Sequence, residues 1–412
     1  MKYLKKIVKI FLKKIYGIKL DARIRQNLSR IKKKKSNKKI NIVFIVQFSE
    51  MWNSLKSVYE SFKNNASYET FLFAVPRYKH NELRKGMKEN EFYLENDVFN
   101  YLKKSGYDVI DAREMDKWKD LRKLNPDIVF YQRPYQPHYP RKYNFSKVSK
   151  YALVCFVPYG VLLSKDIHIK VNINNDALKS AFIFFTDDQL AKKYFDDNKY
   201  SMHSKAQIIK NPRFDLISMD DVIKTSYKPK TFLWTPRWYV GKANNKSNFL
   251  LYLKPIISFF GEHKDLKLII RPHPLMFKNF IDHGVMTQCE INNLKNDIST
   301  LKNIIFDDNK DYRQSFVDGD VLISDFSSLI VEYFLTGKPI IYCGETNDFN
   351  ELGSLISNYF ICVNDEKSLL ANIKKISCND YVPDNKKNSC IKHIIDDKNQ
   401  YSILEVIKSE LG

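Results

Sequence analysis

The chain has 412 residues, 44% of them hydrophobic, with 28 Phe and 25 Tyr; that suffices for two domains with filled cores and excludes a largely disordered chain. Its formal net charge of +21 is uneven: residues 1–39 hold 16 Lys and Arg against one acid, Asp21, while the other 373 residues carry 52 basic and 46 acidic side chains. Six cysteines without CxxC spacing and eight histidines without HxxxH or HExxH spacing give no support to a disulfide framework or a zinc site, and suit a reducing, cytoplasmic compartment.

The first twenty residues place apolar side chains at 4, 7, 8, 11, 15 and 18 and lysines at 2, 5, 6, 9 and 13. At about 100° per residue the first set fills a sector of about 100° and the second lies opposite. This predicts a basic amphipathic helix lying in a membrane interface. Lysine interrupts every 18-residue window, so a transmembrane span is not expected, and no small-residue cleavage site marks a signal peptide. A second basic block runs from Arg30 to Lys39. Each cation near an anionic bilayer adds roughly 1 kcal/mol, so residues 1–39 are expected to associate with an anionic membrane surface rather than with nucleic acid.

From Ile40 strands and helices alternate. Strand-like runs at Ile42–Val46, Thr70–Val75, Asp108–Ile110, Asp127–Tyr131, Ala152–Val157, Ala181–Phe185 and Ala206–Ile209 are separated by helical stretches such as Met51–Phe62 and Asn96–Lys104. A second series begins at Thr231–Trp234 and continues with Leu266–Ile270, Asn303–Phe306, Asp320–Ile323, Pro339–Tyr342 and Tyr359–Val363. Phe249–Phe260, Asp311–Val317 and Ser327–Leu335 read as helices between them. The fold class is therefore α/β, with two Rossmann-like domains expected to face a central cleft. The expected boundaries are 1–39 for the membrane-associating segment, 40–218 for the first α/β domain and 230–395 for the second. A polar linker follows Met219, and residues 396–412 hold a terminal helix over Ile403–Leu411.

Each unusual polar motif falls just after a strand, where open α/β sheets bind ligands. These are Tyr131-Gln132-Arg133, Pro158-Tyr159-Gly160, Asn211-Pro212-Arg213, Thr235-Pro236-Arg237, Arg271-Pro272-His273-Pro274 and Ser324-Asp325-Phe326-Ser327-Ser328. Prolines on both sides of His273 restrict its backbone, and Arg271 offers a donor fork for phosphate oxygens. The hydroxyls before helix Ser327–Leu335 suit either an N-cap or a phosphate.

Four of these motifs in order, NPRFD, WTPRW, IIRPHP and DVLISDFSSLIVEYFLTGKPIIY, resemble the CDP-glycerol glycerophosphotransferase family over roughly residues 205–345. The resemblance implies a GT-B fold and synthesis of teichoic-acid-like or capsular polymers at the inner face of a bacterial membrane. It implies that Arg271 and His273 contact the donor pyrophosphate and that Ser324, Asp325, Ser327 and Ser328 form the phosphate-binding segment. Glu332 would then bind the ribose, and Asn211, Arg213 and Arg237 would line the donor side. The implied donor is CDP-glycerol or a related CDP-alditol, with no cofactor or metal, and the implied acceptor is a lipid-linked polymer or glycan.

The first half departs from the family pattern. Where members carry Trp-His-Gly-Thr after a strand, this chain has Pro158-Tyr159-Gly160-Val161. A phenol ordinarily titrates near ~10, so Tyr159 is a poor replacement for the histidine base. His138, His168 and Asp187 are alternative proton acceptors, and Arg133 and Gly160 are candidates on the acceptor side. A sugar transferase of the same fold and a non-catalytic nucleotide-binding homologue are the competing expectations.

Overall fold

A computed structural model of the chain describes residues 2–35, 38–78, 93, 95–115, 117–135, 138–165, 175–216, 230–241, 247–309, 311–380, 384–395 and 402–412. His168 and residues 219–229 of the expected linker lie outside the described residues. The chain divides into two compact units, one formed by Met1–Leu216 with Lys398–Gly412 and the other by Ile217–Asp397.

The first unit is built on seven parallel strands: β1 (Ile40–Val46), β2 (Tyr68–Ala74), β3 (Val109–Asp111), β6 (Ile128–Tyr131), β7 (Leu153–Phe156), β8 (Ile183–Thr186) and β9 (Lys205–Ile208). A small antiparallel pair, β4 (Arg113–Glu114) and β5 (Lys117–Trp118), stands apart. The sheet order is β3-β2-β1-β6-β7-β8-β9, so the direction of winding reverses between β1 and β6. Burial on both faces explains the unbroken apolar runs of these strands. Alternate residues of β1 serve opposite faces: Ile42, Phe44 and Val46 join one core, Val43 and Ile45 the other. The Phe44 and Phe130 rings stack 4.9 Å apart across the switch.

The two ends of the chain are parts of this unit, which corrects the expected boundaries at 39/40 and 395/396. A single helix spans Lys2–Lys35. Its Leu20, Ile24 and Ile31 are buried in the same core as Ile403, Val406, Ile407 and Leu411 of the terminal helix Ile403–Leu411. Gly17 lets the helix approach the Tyr200 backbone, since a Cβ there would sit 2.3 Å from the Tyr200 carbonyl oxygen. The basic block is also partly consumed. Asp127, buried ahead of β6, accepts from Arg30 Nη1 at 2.7 Å, Lys34 Nζ at 2.5 Å and the Asn41 amide at 2.8 Å. On the helical wheel Leu20, Ile24 and Ile31 lie roughly opposite Phe11 and Ile18. Those two remain 62% and 64% exposed, so the helix carries two apolar faces, one docked and one open.

The second unit holds six parallel strands: β10 (Thr231–Thr235), β11 (Lys267–Ile270), β12 (Ile304–Phe306), β13 (Val321–Ser324), β14 (Ile340–Tyr342) and β15 (Ile361–Cys362). Their order is β12-β11-β10-β13-β14-β15, with the reversal between β10 and β13. Helices Phe249–Glu262, Gln288–Ser299 and Glu366–Ser377 cover the sheet, and Trp234 stacks on Phe249 at 5.2 Å. The last two helices were not anticipated. They are largely polar, and their start signals are capping boxes, Thr287 with Glu290 and Asp365 with Ser368. Among the described residues no helix is long and apolar enough to cross a membrane.

Candidate active site

The switch point of the second unit brings three of the sequence motifs together. Thr235 ends β10 and Ser324 ends β13, and the Thr235 hydroxyl donates to Ser324 Oγ at 2.7 Å. Ser324 is fully buried and donates onward to the Asp325 carbonyl at 2.7 Å, so it joins two strand ends. Asp325 is 2% exposed and acts as a clamp. Its carboxylate accepts from the Arg237 amide at 2.8 Å, the Asn248 amide at 3.1 Å and Asn248 Nδ2 at 3.0 Å. Burial pushes its pKa up to about 6 against the opposing pull of these donors. Asn248 was missed from sequence. It stands just before an apolar helical run and reads as an N-cap, but its side chain makes no cap and turns to Asp325 instead.

The clamp fixes the Thr235–Arg237 turn. The Arg237 guanidinium lies 4.9 Å from the Phe326 ring centroid, and its buried Nη1 has no hydrogen-bond partner among the described residues. A buried cationic donor without a partner is a place for an anion. His273 stands beside it. Its amide donates to the Pro236 carbonyl at 3.1 Å and its ring lies 5.9 Å from Trp238. His273 is itself exposed, but the protein packed around its ring, then the neighbouring Arg237 charge, lower the imidazole pKa to about 4. Near neutrality the ring is therefore uncharged. The Leu275 amide donates to Nδ1 at 3.1 Å, which places the proton on Nε2 and makes that nitrogen a donor.

Arg271 has a different environment. Its Nη1 donates to Asp307 at 2.5 Å and its Nη2 to the Asn309 carbonyl at 2.5 Å. Asp307 lies below the usual carboxylate range, its hydrogen bonds from Ser315, Asn309 and Arg271 outweighing burial. The side chain thus ties the end of β11 to the loop after β12. Ser327 Oγ accepts from the Leu329 amide at 3.2 Å and acts as a local cap, whereas Ser328, at the N-cap position, makes no side-chain cap. Glu332 is 2% exposed and accepts the Tyr312 hydroxyl.

Asn211 and Arg213 belong to the first unit and serve its own loops. Asn211 Oδ1 accepts the Arg213 amide at 3.1 Å, and its Nδ2 donates to Asp187 at 2.8 Å. Arg213 Nη1 donates to the Tyr159 carbonyl at 2.7 Å. These bonds gather the Pro158–Gly160 turn after β7, Asp187 after β8 and the Asn211–Arg213 turn after β9. Asp188, not Asp187, caps helix Gln189–Asn198, accepting from the Ala191 amide at 2.6 Å. Burial, the largest influence, raises Asp187 to about 6. Tyr159 is 40% exposed. His138 stacks on Tyr78 with ring centroids 3.8 Å apart.

Residues 215–359 match the model of the family described as CDP-Glycerol:Poly(glycerophosphate) glycerophosphotransferase. The resemblance read from the motifs is thereby shown over that stretch, which contains Arg237, Arg271, His273 and the Ser324–Glu332 segment. No curated protein sequence matches the chain. Among solved structures, a UDP-GlcNAc 2-epimerase from Neisseria meningitidis bound to UDP-GlcNAc is 12% identical with a TM-score of 0.53, over 90% of this chain and 99% of that one. Another UDP-N-acetylglucosamine 2-epimerase is 12% identical with a TM-score of 0.52, over 87% and 91%. A variant of the wall teichoic acid polymerase TagF soaked with CDPG is 11% identical with a TM-score of 0.50, over 98% of each chain. At these identities the likeness shows the fold, a GT-B-type pair of Rossmann-like units.

Proposed function

We propose that the chain transfers glycerol phosphate, or a related alditol phosphate, from a CDP-alditol to a hydroxyl of a lipid-linked polymer or glycan. The acceptor oxygen attacks the alditol-linked phosphorus, the bond to the CMP phosphate breaks, and CMP leaves. The observation that carries this reading is the buried Nη1 of Arg237, without a partner among the described residues, beside neutral His273 at the β10/β13 switch point, inside the family-matched stretch. Arg237, the Nε2–H of His273 and the Ser328 hydroxyl would donate to phosphate oxygens, and charge stabilisation of that kind dominates such displacements. Arg271 acts by holding its loop on Asp307, and Asp325 by holding the Arg237 turn. Glu332 is assigned to the ribose by the family resemblance.

The acceptor's proton goes to Asp187 in this reading. A carboxylate raised to about 6 is mostly ionised at neutral pH yet basic enough to accept a proton. It sits beside the Pro158–Gly160 turn, where the family pattern has its histidine. The enzyme would work at the cytoplasmic face of the membrane, held peripherally by the open apolar face of the N-terminal helix around Phe11 and Ile18.

A donor screen tests the reaction. The chain, supplied with lipid-linked acceptors, is expected to release CMP from CDP-glycerol or CDP-ribitol and no UDP from UDP-N-acetylglucosamine. UDP release alone would support the sugar-transferase alternative. Tight CDP-glycerol binding without CMP release from any acceptor mixture would support a non-catalytic homologue.

A further inference from the structure

The first unit has its own switch point, between β1 and β6. Phe48 follows β1 and Arg133 follows β6. Arg133 is only 9% exposed, yet its Nε and Nη1 are buried with no hydrogen-bond partner among the described residues. Its guanidinium lies 4.6 Å from the Phe48 ring centroid, 5.1 Å from that of Tyr135 and 5.6 Å from that of Tyr78. Ring faces offset part of the charge, but they do not replace oxygen acceptors for the N–H groups.

A second cation on the same ring shows what is missing. Arg77 lies 4.9 Å from the Phe48 centroid, but it donates to both Glu50 oxygens at 2.6 Å and pairs with Asp97 at 3.2 Å. The local carboxylates are thus engaged by Arg77, and Arg133 has no ion pair among the described residues. The walls around it are fixed. Gln132 Nε2 donates to Ser54 Oγ at 2.9 Å, and Gln47 Nε2 donates to the His138 carbonyl at 2.8 Å. A permanently charged, desolvated fork in a rigid aromatic box costs stability unless an anion completes it.

We propose that Arg133 forms an oxyanion site for a phosphoryl group at the β1/β6 switch point, separate from the nucleotide site of the second unit. The class of ligand is a phosphomonoester or phosphodiester. On the transferase reading of the preceding section, on which this assignment of ligand rests, it is the phosphate nearest the acceptor's terminal hydroxyl. The guanidinium fork matches two oxygens of one phosphate, and the surrounding rings pack against the carbon chain that follows.

The test is direct binding to the full chain, with sn-glycerol 3-phosphate as probe and CMP present at saturation. The parent is expected to bind the probe, and Arg133→Met to weaken it at least about tenfold, the scale of a charge-assisted hydrogen bond, with CMP affinity unchanged. Without ligand the thermal midpoint of Arg133→Met is expected to equal or exceed that of the parent, because an unpaired buried charge has been removed. Equal binding of the probe by both chains, or displacement of the probe by CMP, overturns the proposal. If Arg133→Met does not fold, Arg133→Lys decides. A weakening of about threefold or more, with CMP affinity retained, supports the site, because the charge stays and the fork is lost; unchanged affinity overturns it. Vesicles of phosphatidylglycerol separate the two sources of phosphate. Flotation unchanged by Arg133→Met assigns the site to the acceptor, and flotation lost with it assigns the site to a lipid headgroup and overturns the acceptor assignment. Failure of the transferase reading is distinguishable, since absence of CMP release leaves Arg133-dependent probe binding intact.

Discussion

Asp187 and Asp325 are both raised to about 6 by burial, yet their partners assign them different work. Asp325 is surrounded by donors from Arg237 and Asn248 and positions a turn. Asp187 accepts one side-chain bond, from Asn211, with Asp188 and the Arg213-bound Tyr159 turn as its neighbours. If Asp187 is the base, kcat/KM for CMP release rises with pH through about 6, and Asp187→Asn lowers it by a hundredfold or so, on the scale of general-base catalysis. A structural role predicts a flat profile and a small loss. The stability linkage runs the other way. A raised carboxylate pKa gives stability that is fully present below its unfolded value of 3.8 and lost as pH rises through about 6. Asp187→Asn should therefore flatten the stability profile of the first unit between those values, measured by denaturant titration. At this scale the sequence named Arg237, His273 and Asp325 as site residues. Their division of labour depended on which groups already had partners: the guanidinium of Arg271 is bonded to Asp307 and Asn309, while the Nη1 of Arg237 has no partner among the described residues.

The N-terminal helix is the element whose sequence signal was most incomplete. Its amphipathic pattern was legible over residues 4–18, but Leu20, Ile24 and Ile31 lie on the wheel where the lysines of the first turns fall. A second apolar stripe of opposite facing is hidden by that overlap. Because these three side chains are core, deleting residues 1–39 would expose the core of the first unit and confuse membrane binding with folding. The informative change is Phe11→Glu with Ile18→Glu, which alters only the open face. The parent is expected to float with anionic vesicles and the double variant to stay at the bottom of the gradient, with equal thermal midpoints. Equal flotation of the two chains would remove the membrane role of this face. Strands were read correctly because buried parallel strands are continuous apolar runs. Gln288–Ser299 and Glu366–Ser377 escaped notice because a polar surface helix announces itself mainly by its caps.

The first unit is discontinuous in sequence: Met1–Leu216 is completed by Lys398–Gly412, and the second unit lies between them. Ile403, Val406, Ile407 and Leu411 share a core with Leu20, Ile24 and Ile31. Removing 398–412 should destabilise the first unit while leaving the second intact. Calorimetry should show one transition moving down by several degrees, on the scale of a few lost buried aliphatic side chains. CMP binding should survive, and its loss would mean that the units do not fold separately. Much of this organisation was already determined by the sequence: two α/β series, the strands of both sheets, polar motifs at strand ends and a family signature in residues 205–345. Hydrophobic period and turn chemistry are local properties, and a linear chain displays them directly. The tertiary structure alone decided the partners. It joined the two chain ends in one core, placed Asn211 and Arg213 on loops of the first unit, and left Arg133 and Arg237 with buried donors lacking acceptors among the described residues. Charge compensation depends on which distant groups folding brings within about 3 Å, and no pattern along the chain records that distance.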